Sequence, residues 1–361
     1  MKKHQISKIS AIAALLFFFN FSLHGQIDGE FLKGGINDGT KLIEAYISPW
    51  AKAFGAGFSG GWYNTAKPHK FGGFDITFTV NAGLVPESET TFDLAELGLE
   101  HFTLVNPSGT SIAPTIAGQQ QDGPELHYVS NISGYDVELA RLNSPAGTGL
   151  KFIPVPMAQV GIGLPLNSEI KVRFIPKLTY DESDVSLWGV GLLHSIIQYI
   201  PGNELMPFDI SVFGGYTRLK TNIGLEIYPD SYADYVNYTS EDFTGQKVTG
   251  MVEGWNASLI GSFNLPVITI YGGLGYASSR TVADVVGNIP LPTADASSLP
   301  PSVVYTDAGV VNDITGIEIE DFSGLRANLG FRLKFALFTI HADYTRSQYN
   351  VFTAGLGISF R

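Results

Sequence analysis

His341 and Asp343 stand two residues apart in a stretch of alternating polarity, so in an extended chain both point the same way, as a base and its orienting carboxylate do in a hydrolase. Serine and threonine abound, but nothing fixes one of them as a nucleophile within reach of this pair. The pair therefore reads as polar lining, and no enzyme is expected. His69, His101, His127 and His194 lack zinc-type spacing. The Gly-x-Gly pairs at 55–57, 161–163 and 355–357 do not precede helices, so no cofactor is called for. A basic set remains: Lys171, Arg173, Lys177, Arg326, Arg332 and Lys334, each placed between apolar neighbours. If these strands enclose a lumen, the six cations face inward. They then either select anionic solutes as charged rings do, or fill the interior against Asp75, Glu253 and Asp343. The second is the simpler reading.

The elements that position these residues are strands. Phe352, Ala354, Leu356, Ile358 and Phe360 alternate with Val351, Thr353, Gly355, Gly357 and Ser359 up to the last residues of the chain. Leu325 to Phe335, Phe338 to Thr345, Ile170 to Leu178 and Phe74 to Asn81 repeat the pattern, with charged or small residues on one face. A soluble sheet alternates too, so connection length decides. Outer-membrane barrels have short turns on the periplasmic side and longer loops outside. Counted backward from Arg361, the tight turns at Ala336-Leu337, Asn264-Leu265-Pro266 and Pro165 to Ser168 fall at one end. The long connections 221–248 and 283–322 fall at the other. The sequence thus predicts an all-β transmembrane antiparallel barrel over 71–361, of about 12 strands, with 10 to 14 compatible. Two of the twelve are placed near Leu97 to Val105 and Tyr135 to Leu142.

Composition agrees. Gly 41, Phe 24 and Tyr 16 dominate, Cys is absent, and charged residues are only 16%, against about 25% in ordinary soluble proteins. Net charge is -12, which argues against nucleic acid as a partner. Lys2 and Lys3 followed by the apolar run from Ile9 to Phe21 read as a signal peptide over 1–25, cleaved after Gly25. The destination is then the outer membrane of a Gram-negative envelope. The partners expected there are its lipid, the barrel assembly machinery through the C-terminal strand, and a small hydrophobic or anionic solute.

Residues 26–70 precede the first strand and are too apolar for a solvated linker. Leu42, Ile43, Tyr46 and Trp50 share one face of a short helix, expected to begin near Asp38 or Thr40 and to stop before Pro49. The stretch Ala53-Phe54-Gly55-Ala56-Gly57-Phe58-Ser59-Gly60-Gly61-Trp62-Tyr63-Asn64-Thr65-Ala66 follows. This order of helix, glycine-rich stretch and barrel resembles the plug of the long-chain fatty-acid transporter family, with Asn64-Thr65-Ala66 where that family typically shows Asn-Pro-Ala. Gly61 to Phe78 together with Val155 to Gly163 resembles more an uncharacterised family of Bacteroidota outer-membrane proteins, which brings no known substrate. The plug resemblance implies a passive channel gated by Trp62, Tyr63 and Asn64. The alternative is a structural or partner-binding barrel, with 26–70 a periplasmic adaptor.

Overall fold

In the computed structural model, residues 29–360 are described apart from 181, 203–205, 226 and 230. The expected signal peptide lies outside the described residues. Ten antiparallel strands close into a barrel: β1 (Phe74–Leu84), β2 (Phe152–Leu164), β3 (Ser168–Tyr180), β4 (Ser183–Ser195), β5 (Phe208–Gly224), β6 (Lys247–Asn264), β7 (Ile268–Pro290), β8 (Val310–Phe335), β9 (Phe338–Arg346) and β10 (Val351–Phe360). Each pairs with its sequence neighbour, and β1 closes the ring on β10, with Phe74 opposite Phe360 and Gly83 opposite Val351. Ten strands is the lower end of the expected range. The segment 135–143 is a strand, as expected, but it pairs with 125–132, which pairs in turn with 102–104, in a sheet outside the ring.

Short connections join β2 to β3, β6 to β7 and β8 to β9 at one end, the turn end. The opposite, loop end carries residues 85–151, 225–246 and 291–309. A closed ring leaves no strand edge, so it can cross lipid provided its outer face is apolar. That face is apolar: in β10 the residues Phe352, Ala354, Leu356, Ile358 and Phe360 point out while their alternates are buried inside. A soluble protein rarely exposes so continuous an apolar surface. Aromatic residues border it on both sides. Phe74 stacks on Phe360 at 5.9 Å near the turn end. Toward the loop end stand Trp188 with Tyr216 (5.4 Å), Trp255 with Tyr276 (5.5 Å) and Tyr344 with Phe352 (4.8 Å). At ~3.3 Å per residue and a tilt of ~40°, Phe352 and Phe360 lie about 20 Å apart along the barrel axis, close to the usual apolar band.

Helix α1 (Ile36–Phe58) runs through Pro49 where the sequence predicts a stop. Proline removes one backbone bond and strains the turn before it, but both halves of this helix are held by packing. Leu42, Ile43 and Tyr46 share a core with Phe102, Leu126 and Leu142 of the loop-end sheets and with Val285, Ile289 and Ile314 of the extended β7–β8 hairpin. Ala53 and Ala56 pack on Ala277 and Phe322 of the wall and on Tyr349 between β9 and β10, and Phe58 on Val155, Leu187, Leu219 and Val252. The helix therefore enters the lumen from the loop end. Gly83 of β1 leaves it room, since a methyl there would overlap the Ala53 carbonyl.

Candidate functional site: a plugged lumen

Past Phe58 the chain abandons the helix and descends through the barrel as an irregular segment before turning into β1. Gly61 takes φ +66° beside Asn81, a conformation and a closeness that disfavour any side chain. A helix end leaves its last carbonyls without intrahelical partners, and the dipole makes that end negative. Inside a barrel the wall must satisfy them. Arg173, fully buried on β3, donates from Nη1 to Phe58 O (3.1 Å) and from Nη2 to Gly60 O (2.6 Å). Arg326 on β8 and Asn256 on β6 each donate to Ser59 O, both at 2.9 Å. Two cations from opposite walls thus cap the helix terminus.

Below this cap, the Trp62 ring lies under the Arg173 guanidinium, 3.6 Å from carbon to ring centroid. The amide of Gln159 bridges the two, accepting from Arg173 Nε at 3.2 Å and donating to Trp62 O at 3.1 Å. Tyr63 donates to Asn328 Oδ1 (2.8 Å) and packs on Phe213 and Tyr271. Ser262 receives the Ala66 amide at 3.0 Å, with Thr65 Oγ1 at 3.4 Å. Trp62 and Tyr63 therefore sit deep in the lumen; Asn64 is half-buried beside them.

Nearest the turn end, His69 donates its backbone N–H to Glu169 (2.8 Å), with ring Nδ1 2.7 Å from the same oxygen and Nε2 3.1 Å from Ser359 Oγ. Asp75 Oδ1 lies 3.7 Å from His69 Nδ1, and Lys171 bonds Glu169 at 3.9 Å from Asp75. His69, Asp75 and Glu169 offer ligand atoms within 4.8 Å of one another, enough for a metal ion. The Lys171 ammonium already supplies positive charge there, so the residues fit an internal ion network better than a metal centre.

Of the basic residues read from the sequence, Lys171, Arg173, Arg326 and Arg332 are buried on the inner face, and Lys334 is half-buried on the same face near the turn end. Lys177 is not in the lumen. A register irregularity between Ile175 and Leu178 swings it outward at the rim, where it pairs with Asp184 at 3.1 Å and is 64% exposed. Glu253 also faces out and pairs with Arg218 at 3.3 Å. His341 and Asp343 are both buried inside, and Asp343 accepts from Tyr271 (2.9 Å) and Thr345 (3.4 Å). His341 Nδ1 has no partner among the described residues. The His69–Glu169 contact was invisible in spacing, because the two lie far apart in sequence and are joined only by ring closure.

At the loop end, Asp38 near the start of α1 accepts from the backbone N–H of Glu100 (2.7 Å), His101 (2.8 Å) and Phe102 (2.9 Å). Burial alone would raise its pKa; the three donors outweigh that and hold it below the usual carboxylate value. The helix is thus pinned at both ends, by a carboxylate outside the lumen and by arginines within it.

Fold and interior together define a transmembrane β-barrel filled by its own N-terminal segment. The chain belongs to a family of unknown function, DUF6588, whose model matches residues 1–360. No curated protein matches the chain. Among solved structures it is similar to Ail of Yersinia pestis, in complex with the heparin analogue sucrose octasulfate (9% identity over 80% of this chain and 97% of that one, TM-score 0.24). It is similar also to the translocator domain of the autotransporter NalP from Neisseria meningitidis (11%, 81% and 89%, TM-score 0.28). A third is a Pseudomonas aeruginosa FadL homologue (10%, 86% and 98%, TM-score 0.23). Likenesses this slight carry nothing about chemistry.

Proposed function

We propose that the protein is a passive outer-membrane channel for a small polar, anionic solute, closed by residues 36–70. One observation carries this reading. The segment in the lumen is held by wall side chains gripping its backbone carbonyls, a polar contact that water can replace when the segment moves. Withdrawal would leave a passage about as wide as a helix, ~10 Å. Its wall would present Lys171, Arg173, Arg326 and Arg332 against Asp75, Glu169 and Asp343, a small cationic excess that favours anions. Thr77, Thr79, Asn256, Ser258 and Thr353 make the rest of the wall polar. That lining supports a polar solute over a hydrophobic one.

A second reading, a structural barrel with loops for partners, draws support from the close packing of Trp62 and Tyr63 against the wall. A reversible tether separates the two. Thr65 and Ser262 bring their hydroxyls to 3.4 Å across the plug–wall contact, and the chain has no native cysteine. Thr65→Cys with Ser262→Cys, studied in planar bilayers, is expected to be silent when oxidised and to show anion-selective openings when reduced. Silence in both states, in a barrel that has assembled, would leave the structural reading standing.

A further inference from the structure

Trp62 occupies a slot that the barrel wall makes for it. Gly191 on β4 and Gly215 on β5 are direct cross-strand partners, and both face the indole. A methyl at Gly191 would lie 3.1 Å from that ring and 2.9 Å from Phe213; one at Gly215 would lie 3.0 and 2.7 Å from the same two rings. Glycine within a strand forgoes cross-strand packing and marks a place where another group comes close. Leu193 and Phe213 also line the slot, with the Phe213 ring centroid 5.5 Å from that of Trp62. The Arg173 guanidinium covers the indole at 3.6 Å.

Beside the slot, four donors converge on three carbonyls. Arg173 Nη1 and Nη2 hold Phe58 O and Gly60 O, while Arg326 Nη1 and Asn256 Nδ2 share Ser59 O. Neither arginine bonds a carboxylate among the described residues; Asp343 stands one hydroxyl away from Arg326, with Thr345 Oγ1 3.4 Å from each. Arg326 Nε is buried and has no partner among the described residues either. Two buried cations aimed at the partial negative charge of a helix end would hold a full anion more strongly.

The two halves specify one ligand chemistry. A hydrocarbon would fill the slot but leave the donors unsatisfied, and a bare phosphate would take the donors but not the slot. Arg173 carries a ring on its face and oxygens on the nitrogens of its edge, so the ligand needs a carboxylate set off from its ring by a short flexible spacer. We propose that slot and donors together form a binding site for an arylalkanoate, and that Trp62 with the carbonyls of residues 58–60 is its built-in substitute. Taking this ligand as the transported solute rests on the channel reading; the site itself does not. Because ligand and plug compete for the same atoms, binding favours the displaced plug.

The test is calorimetry of the full-length protein in detergent, with indole-3-acetate, indole and acetate as probes. The parent is compared with Trp62→Ala, which vacates the slot, and with Trp62→Ala combined with Gly215→Leu, which refills it from the wall. The gel shift on heating confirms that all three barrels are folded. A tethered competitor acts at an effective concentration of order millimolar, so indole-3-acetate should bind Trp62→Ala at least about tenfold more tightly than the parent. Indole and acetate, each lacking one half of the ligand, should bind that variant at least about tenfold more weakly than indole-3-acetate, and Gly215→Leu should remove the binding. No gain in affinity on Trp62→Ala, equal affinity for indole-3-acetate and indole, or binding that survives Gly215→Leu would each overturn the proposal. The two readings fail separately: such binding in a barrel that stays silent after reduction of the cysteine tether would remove the channel and leave the site, whereas openings on reduction without such binding would keep the channel and overturn the site.

Discussion

Replacing Arg173 by Met tests the plug at its most concentrated contact. The guanidinium makes two bonds to plug carbonyls, at 3.1 and 2.6 Å, and covers the Trp62 ring at 3.6 Å. Hydrogen bonds to a charged group contribute about 1.5–3 kcal/mol each, and a desolvated cation–π contact about 2 kcal/mol. Against this stands the desolvation of a fully buried cation with no carboxylate partner among the described residues, which methionine would relieve. A net weakening of plug docking by about 4 kcal/mol follows, or about a thousandfold in the closed-to-open ratio. Amide exchange across residues 57–66, read by mass spectrometry in detergent, should accelerate by about that factor while the strands stay protected, and open probability in bilayers should rise. Arg173→Lys keeps the charge but not the fork, and should fall between. Exchange that slows in Arg173→Met would refute the reasoning, because desolvation would then outweigh the bonds.

Three other perturbations follow from the same geometry. Asp38→Asn replaces one accepting oxygen by a donor facing the amides of His101 and Phe102, and should weaken docking of the helix start by about 3 kcal/mol, seen as faster exchange at residues 100–102. Because the folded pKa of Asp38 is depressed, its contribution is present above the unfolded value near ~3.9 and is lost as pH falls through the folded one; loop-end proteolysis should therefore rise in acid in the parent and change little in the Asn variant. Gly83→Val drives a side chain against the Ala53 carbonyl and should expel the lower half of α1, giving constant conductance in a barrel that still shifts on heating.

The barrel was legible because lipid imposes a simple rule on strands. In β10 and β1, outward residues are apolar and inward ones, Val351 apart, small or polar, and the longest connections fall at one end while three of the four at the other are tight. What the sequence concealed was set by contacts between distant segments. Lys177 was misplaced because a single irregularity inverts the faces beyond it. The stop at Pro49 failed because burial on all sides outweighs one lost backbone bond. The basic residues suggested acidic partners, yet Arg173 and Arg326 take backbone carbonyls, which no residue type advertises. Strand 135–143 has barrel-like alternation, but it covers the helix instead of lipid.

The path of residues 36–73 also sets an order of events. The seam between β1 and β10 joins residues 74–83 to 351–360, the most distant strand pairing in the chain and hence the one with the largest loop-closure entropy. A helix already threaded through the ring cannot be inserted sideways once that seam has zipped. The plug must lie within the curling sheet while it is still open, and the carbonyls of residues 58–60 then give β3, β6 and β8 a common mandrel to wrap. The segment that fills the finished barrel would have served first as the former on which that barrel was rolled.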